Sequence, residues 1–377
     1  MLKHWVIGIV ASAASAFTAS ADLPPELIKA YNSAMGTQDT AQIVPAAEAL
    51  AAAAVEDPAA PDATLIAFET ASQLCLRGAC ARAADAARLA ASGTGADLPP
   101  ALERALLAAY AAYSAAPGSE TLATLDGALS AIAAEPPTLI SVNAFGARYV
   151  AEAKSGSPES LSREARRAAD HFRPARDLVP QYWATAELTA LTTKFNTTTE
   201  PKTLLDIYEL EYWLYDRFAP YNRESVEAPE WLRDNYYTTM AWRLAIETFV
   251  QMSDSRSSVL RTAKTRAEAR AEEIEARPKE AKAELPFCSG RFEPMPAPVY
   301  PGRAGRGGFF GAILIGVAIS DGEPGGLTVL AAVPDGVFER ATLDSFRNVK
   351  WVFDADQPEP CDRSTERVLV PFVYEIQ

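Results

Sequence analysis

Histidine is the scarcest chemically useful residue in this chain: there are two, His4 and His171. A nucleophile–base pair or a histidine metal site has almost nothing to be built from. Cysteine is nearly as scarce, at four, and the Cys75/Cys80 pair is spaced C-x4-C, which does not match a zinc site. Positive charge is short: 35 Lys and Arg stand against 49 Asp and Glu, a net charge of −14. That balance argues against nucleic acid and anionic lipid as partners. No apolar run reaches the roughly 20 residues a bilayer span needs. A phosphate loop is missing too, because Gly305-Arg306-Gly307-Gly308 has no Lys-Ser/Thr after it and no strand before it. Carboxylates abound, but none stands in a recognisable catalytic frame. The sequence implies no cofactor, no metal and no enzymatic reaction.

What is present is ample core material, with 49% hydrophobic residues. A chain of 377 residues should hold two domains, or a repeat array plus a cap. Residues 1–21 read as a signal peptide. Lys3 and His4 precede the apolar run from Trp5, and Ala19-Ser20-Ala21 forms a small-x-small cleavage site before Asp22. The competing reading is an uncleaved membrane anchor. Processing leaves no integral span and a single histidine, His171, expected at a helix end or on the surface.

An even number of cysteines in an exported chain suggests disulfides, with three connectivities open. Cys75–Cys80 and Cys288–Cys361 are the favoured pairs, and four buried thiols are the alternative. Five residues of straight helix rise about 7.5 Å, beyond disulfide reach. Cys75 and Cys80 can therefore bridge only if Arg77-Gly78 turns the chain.

Residues 22–277 read as an all-α array. Pro24-Pro25 starts a first helix and Gly36 stops it; Asp39 or Thr40 caps the next. Further pairs run Thr64–Leu76 with Ala79–Ala91, and Pro99–Ala115 with Glu120–Ala133. The period of roughly 35 residues suits tetratricopeptide-like helix hairpins, although the tryptophan and the Leu-Gly pair of that pattern are missing. Helices continue over Leu139–Lys154 and Ser160–His171. From Tyr182 to Trp242 the chain is rich in aromatics, either a thick core or an aromatic groove. Ser255–Arg277 is a polar helix of alternating charge, and Pro278, Pro286, Pro294, Pro296 and Pro298 mark residues 278–298 as an extended linker.

Residues 299–377 change to strand chemistry. Ala312–Ile319 alternates β-branched with small residues, and Leu327–Val333 repeats the alternation after a turn within Asp321–Gly326. Pro334-Asp335 should open a helix whose apolar or small face is Phe338, Ala341, Thr342, Ser345, Phe346 and Val349. Val368–Ile376 is a last strand, and Pro371 within it argues for an edge or a bulge.

This order of strand, strand, helix and strand in an antiparallel sheet resembles the C-terminal domain of the TonB family. The resemblance rests on Tyr300-Pro301 with Ala304, on Gly311 opening the first strand, and on Phe338-Glu339-Arg340-Ala341 opening the helix. Trp351 and the alternating last strand complete it; Val349 stands where the family's helix-exit tryptophan falls without a gap. The fold class expected is thus two-part: a helical-hairpin array followed by a small α+β TonB-like domain. The resemblance implies a periplasmic protein that adds an extended segment of an envelope partner, a TonB-dependent receptor or another TonB-system component, to a sheet edge. The residues expected to bind it are Arg367, Val368, Leu369, Val370, Phe372, Val373, Tyr374 and Glu375. A linker of about 20 residues spans at most roughly 70 Å, so the spacer of a full energy transducer is missing. The alternatives are a transducer kept on its N-terminal anchor, or a helical scaffold whose C-terminal domain forms a homodimer.

Overall fold

The structure is a computed structural model and describes residues 23–95, 97–223, 227–276, 285–307, 310–357 and 360–375. The signal peptide and Ile376 lie outside these residues. The chain divides into two compact units, residues 1–183 and 184–377. Among the described residues no helix is long and apolar enough to cross a membrane.

The first unit is built from helices that pack on their chain neighbours: α1 (Pro25–Thr37), α2 (Thr40–Glu56), α3 (Ala63–Leu76), α4 (Ala84–Ser92), α5 (Ala101–Ala115), α6 (Ser119–Ile132), α7 (Leu139–Ser155) and α8 (Pro158–Phe172). α9 (Pro180–Thr198) spans the division. Alanine makes the close packing: Ala47, Ala54, Ala63, Ala67, Ala71, Ala87 and Ala90 are fully buried, and their short side chains let helix backbones approach. Asp39 caps α2 as expected, and Ser157 caps α8. Asp39 Oδ1 accepts from Ala41 N at 2.9 Å, and Ser157 Oγ accepts from Ser160 N at 3.2 Å. Gly78 adopts φ +78°, the left-handed turn that lets Cys75 bridge Cys80. Cys80–Ala83 is a 3-10 turn, so the helix expected from Ala79 begins at Ala84.

The second unit joins helices to sheet. It contains α10 (Thr203–Arg223), α11 (Glu230–Ser253), α12 (Ser258–Ala276), β1 (Gly290–Glu293), α13 (Gly302–Gly307), β2 (Gly311–Ser320), β3 (Glu323–Val333), α14 (Glu339–Ser345), β4 (Lys350–Phe353) and β5 (Ser364–Tyr374). β2 lies between β3 and β5, antiparallel to both, and β1 pairs antiparallel with β4. The hairpin turn is Asp321-Gly322 alone, with φ +46° and +87°, the pair of left-handed residues a tight hairpin needs. Gly325 and Gly326, expected in a longer turn, therefore belong to β3. Gly290–Glu293, expected within the linker, is a strand because Phe292 is drawn into the core beside Trp351 and Phe346. α14 starts at Glu339, later than Pro334-Asp335 suggested, yet it buries the anticipated Thr342 between buried Phe338 and Phe346.

The two faces of β2 explain its alternation. Ile313, Ile315, Val317 and Ile319 pack into a core with Phe338, Phe346, Val349 and Tyr374; each such side chain contributes about 1.5–3 kcal/mol by burial. The small face, Ala312, Leu314 and Gly316, is also closed. α11 packs along β2 and β3, and Arg367 on this face donates to Tyr237 Oη of α11 at 3.0 Å. The Arg367 stem passes 3.4 Å from where a Cβ on Gly316 would sit. β2 is thus covered on both sides. The aromatic-rich middle supplies one of the covers as core, with Tyr208, Phe218, Tyr236 and Tyr237 buried.

Candidate functional site

β5 is the outer strand of the sheet; among the described residues its one paired neighbour is β2. Its side chains divide into two rows, as the pleat requires. Val368, Val370 and Phe372 turn inward and pack against the core, and Tyr374 is buried within it. The Tyr374 ring stacks on Phe338 at 4.1 Å, and its hydroxyl lies 2.6 Å from Thr342 Oγ1. Phe372 meets Phe346 edge-on at 5.7 Å. Arg367, Leu369, Pro371 and Val373 form the other row and are exposed, Leu369 at 41% and Val373 at 38%. Glu375, just past the strand, is exposed as well. So seven of the eight residues expected to bind a partner fall on two faces of β5 and Glu375 just beyond it, four of the eight directed into the core and four open to solvent.

Proline is tolerated at the rim of a sheet because no second neighbour asks for its missing N–H. Pro371 stands opposite Leu314 in the β2–β5 register. The start of β5 is pinned from outside the strand. Cys361 is bonded to Cys288, Cys288 N donates to Asp362 O at 2.7 Å, and Asp362 N donates to Pro286 O at 2.8 Å. Both anticipated disulfides are present.

The residues that carried the TonB resemblance gather around the far end of β5. The Tyr300 ring lies 5.9 Å from both Phe338 and Tyr374, and Ala304 is buried in the same core. Pro301 O accepts from Gly305 N at 3.1 Å, which fixes the short α13 turn. Gly311 runs so close to β3 that a Cβ would sit 1.9 Å from Val333 O, and only glycine fits there. Ala341 is half-buried on α14. Val349 is buried in the core, and Trp351 packs beside it against Phe287 and Phe292.

The opposite edge, β3, is less open. Trp351 N donates to Gly322 O at 2.9 Å and Lys350 Nζ lies 3.3 Å from Glu323, which brings β4 alongside. A depression of about 270 Å³ there is lined by Pro324, Gly325, Leu327, Asn348 and Lys350 among others. With Pro324, Gly325 and Gly326 in its first half, β3 is a poor template for another strand.

The first unit holds an unforeseen Ser–His contact. His171 stands in the last turn of α8, one of the two places expected for it, and is buried there against Phe145 and Ser141 of α7. Its ring stacks on Phe145 at 4.7 Å. Nδ1 lies 3.3 Å from Ala133 O, a pure acceptor, so Nδ1 carries the proton and Nε2 accepts from Ser141 Oγ at 2.9 Å. Ser141 is fully buried, and no carboxylate backs the imidazole in these contacts. The pair ties α7 to α8 and offers a substrate no approach. Burial holds the His171 pKa below the ordinary histidine range, partly opposed by the Ala133 carbonyl. The unfolded chain therefore binds the proton more tightly than the folded one. The His171 share of stability is present above about pH 6.5 and falls as pH drops below it. Urea unfolding at pH 5 and pH 7 should show a smaller pH difference for His171→Gln than for the parent, with an offset of about 1–3 kcal/mol from the lost contacts.

Searches against protein-family models, curated proteins and solved structures find no match to this chain. Among the described residues no group of three or more His, Cys, Asp or Glu is placed to hold a metal ion.

Proposed function

We propose that the chain is a periplasmic interaction protein of TonB-like type, which docks an extended segment of an envelope partner along β5 by strand addition. One observation carries the reading: β5 is the rim of its sheet and presents Leu369, Pro371 and Val373 to solvent. An edge strand offers unpaired N–H and C=O groups, and an added strand satisfies them. The exposed apolar row supplies side-chain contacts on one face of the added strand. Two disulfides suit a compartment outside the cytoplasm. A TonB-dependent receptor, with a periplasm-facing extended segment, is the kind of partner this site takes.

The test is calorimetric titration of the processed chain with peptides from the periplasm-facing N-terminal segments of TonB-dependent receptors. Binding should appear and should weaken at least about tenfold in Leu369→Asp/Val373→Asp, which alters only exposed side chains and should leave the melting temperature in place. Absence of binding, or binding indifferent to that double change, sinks the reading.

A further inference from the structure

α3 carries oxygen acceptors that the fold of the first unit leaves unmet. The helix is buried over most of its length, and buried polar side chains around it have clear partners. Thr70 Oγ1 donates to Ile66 O at 2.7 Å, and Arg104 donates to Pro99 O, Ala90 O and Gly93 O. Ser72 and Gln73 differ. They are 7% and 4% exposed, and neither Ser72 Oγ nor Gln73 Oε1 has a hydrogen-bond partner among the described residues. A buried acceptor left in that state costs free energy that an apolar side chain would not.

Both residues stand one turn after Glu69, at the third and fourth positions that share its helix face. Glu69 is half-buried. Burial first, and then the charge of Glu103 on α5, hold its carboxyl above the usual range. Glu103 is half-buried too, and neither carboxylate forms an ion pair among the described residues. The arginines nearest in sequence are engaged elsewhere. Arg104, next to Glu103, is turned to the carbonyls at the end of α4. Arg77 lies eight residues past Glu69, about 12 Å along the axis, and its Nη1 donates to Thr40 Oγ1 at 3.3 Å. Tyr31 of α1, 4% exposed, is close enough to feel the Glu69 charge, which sets an aromatic side chain beside the carboxylate.

Two carboxylates and an amide oxygen, with no donor among them, suit a cation that donates hydrogen bonds. A primary ammonium carries three N–H donors and no acceptor, one for each of these groups. A hard metal ion fits worse. Calcium takes about six to eight oxygens, backbone carbonyls often among them, and helix carbonyls are already bonded within the helix. We infer that Glu69, Gln73 and Glu103 hold a primary ammonium group carried on a flexible carbon chain, with Ser72 as a further oxygen and Tyr31 alongside. The two half-buried carboxylates meet the group as it arrives from solvent, and the buried amide accepts its third N–H. The ammonium comes from a free alkyl diamine or from a lysine side chain. The site belongs to the first unit and does not rest on the docking reading of β5.

Calorimetric titration of the processed full chain tests this, with cadaverine and Nα-acetyl-lysine amide as probes and pentanol and calcium as controls. Cadaverine should bind saturably at one site per chain, and pentanol should not bind. Glu69→Gln and Glu103→Gln should each weaken cadaverine about tenfold or more, since each removes a charge-assisted hydrogen bond. Gln73→Met should weaken it as well, yet leave the melting temperature at or above the parent's, because it removes an unmet buried acceptor at nearly constant volume. Binding of acetyl-lysine amide as tight as that of cadaverine assigns the site to a lysine side chain, and binding of cadaverine alone assigns it to a free diamine. Unsaturable uptake that Glu69→Gln does not change is adsorption to an acidic chain and overturns the inference. Displacement of cadaverine by equimolar calcium overturns it too. So does a Gln73→Met chain that keeps the parent's affinity, or one that melts lower, which makes Gln73 a packing residue.

Discussion

Arg243→Ala should destabilise the second unit by about 3–5 kcal/mol, the range seen when one partner of a buried ion pair is removed. Arg243 sits on α11 with its side chain 17% exposed. Its Nε donates to Glu211 Oε2 at 2.5 Å and its Nη1 to Glu247 Oε2 at 2.9 Å, while the Tyr208 ring faces the guanidinium at 5.2 Å. Burial works against the Arg243 charge, but Glu211, Tyr208 and Glu247 together hold its pKa above the usual range. Burial raises the Glu211 carboxyl despite the arginine beside it. With Arg243 gone, Glu211 must stay buried as an unpaired charge or take up a proton. The sign follows. A carboxyl whose folded pKa lies above its unfolded value gives stability that is present below about pH 4.3 and is lost as pH rises through the folded pKa. Without Arg243 that folded pKa climbs further, so the deficit of the variant should be larger at pH 8 than at pH 5. Urea unfolding followed by tryptophan fluorescence at both pH values measures it. Glu211→Leu with Arg243→Met should restore most of the loss, because a packed apolar pair can replace a buried ion pair. A deficit that does not vary with pH would show that the loss comes from packing and not from the stranded carboxylate.

Cys288→Ser/Cys361→Ser should cost about 4 kcal/mol, and Cys75→Ser/Cys80→Ser about 2, as chain entropy dictates for the loops they close. The first bond spans a sequence separation of 73 residues and the second a separation of 5. The longer loop contains β2, β3 and α14, so its closure constrains most of the sheet before any strand pairs. The bond also holds Pro286–Cys288 against Asp362, just ahead of β5. Denaturant unfolding of the two double variants, with and without reductant, checks the ranking. Reduction should bring the parent to the level of the chain lacking both bonds. Equal losses for the two pairs would contradict the loop-length account.

Much of this was legible in the chain, and what was hidden has physical reasons. The helical hairpins follow from Asp39, Gly78 and Ser157, local signals that act on their own turn. Alternation in Ala312–Ile319 and Val368–Tyr374 announced the strands, because a period of two is written in successive residues. The exposed row at Leu369 and Val373 could be read as part of a strand, but which row would be open depends on what covers the sheet. That cover is α11, and no periodicity links Tyr237 to Arg367, 130 residues apart in the chain. The small side chains at Ala312 and Gly316 were the available sign that a helix would approach. β1 escaped notice because Gly290–Glu293 is short and flanked by prolines; its strand state comes from pairing with β4 and from Phe292 reaching the core. His171 was placed at a helix end or on the surface, and its burial was hidden because nothing in Asp170–Arg173 records that Ser141 and Ala133 pack on it.

The position of β2 also sets the order in which the second unit can be completed as the chain emerges from its N-terminus. α11 is finished while both of the strands it will cover are still unmade. β2 then needs β3, which follows after two residues, and β5, which begins only at Ser364. The contacts that seal the unit are thus its most distant ones in sequence, the kind that form late and slowly. Until the eleven residues of β5, Ser364–Tyr374, are added, half a sheet waits for closure. Strands left unpaired in this way are the kind of surface that chaperones and proteases act on.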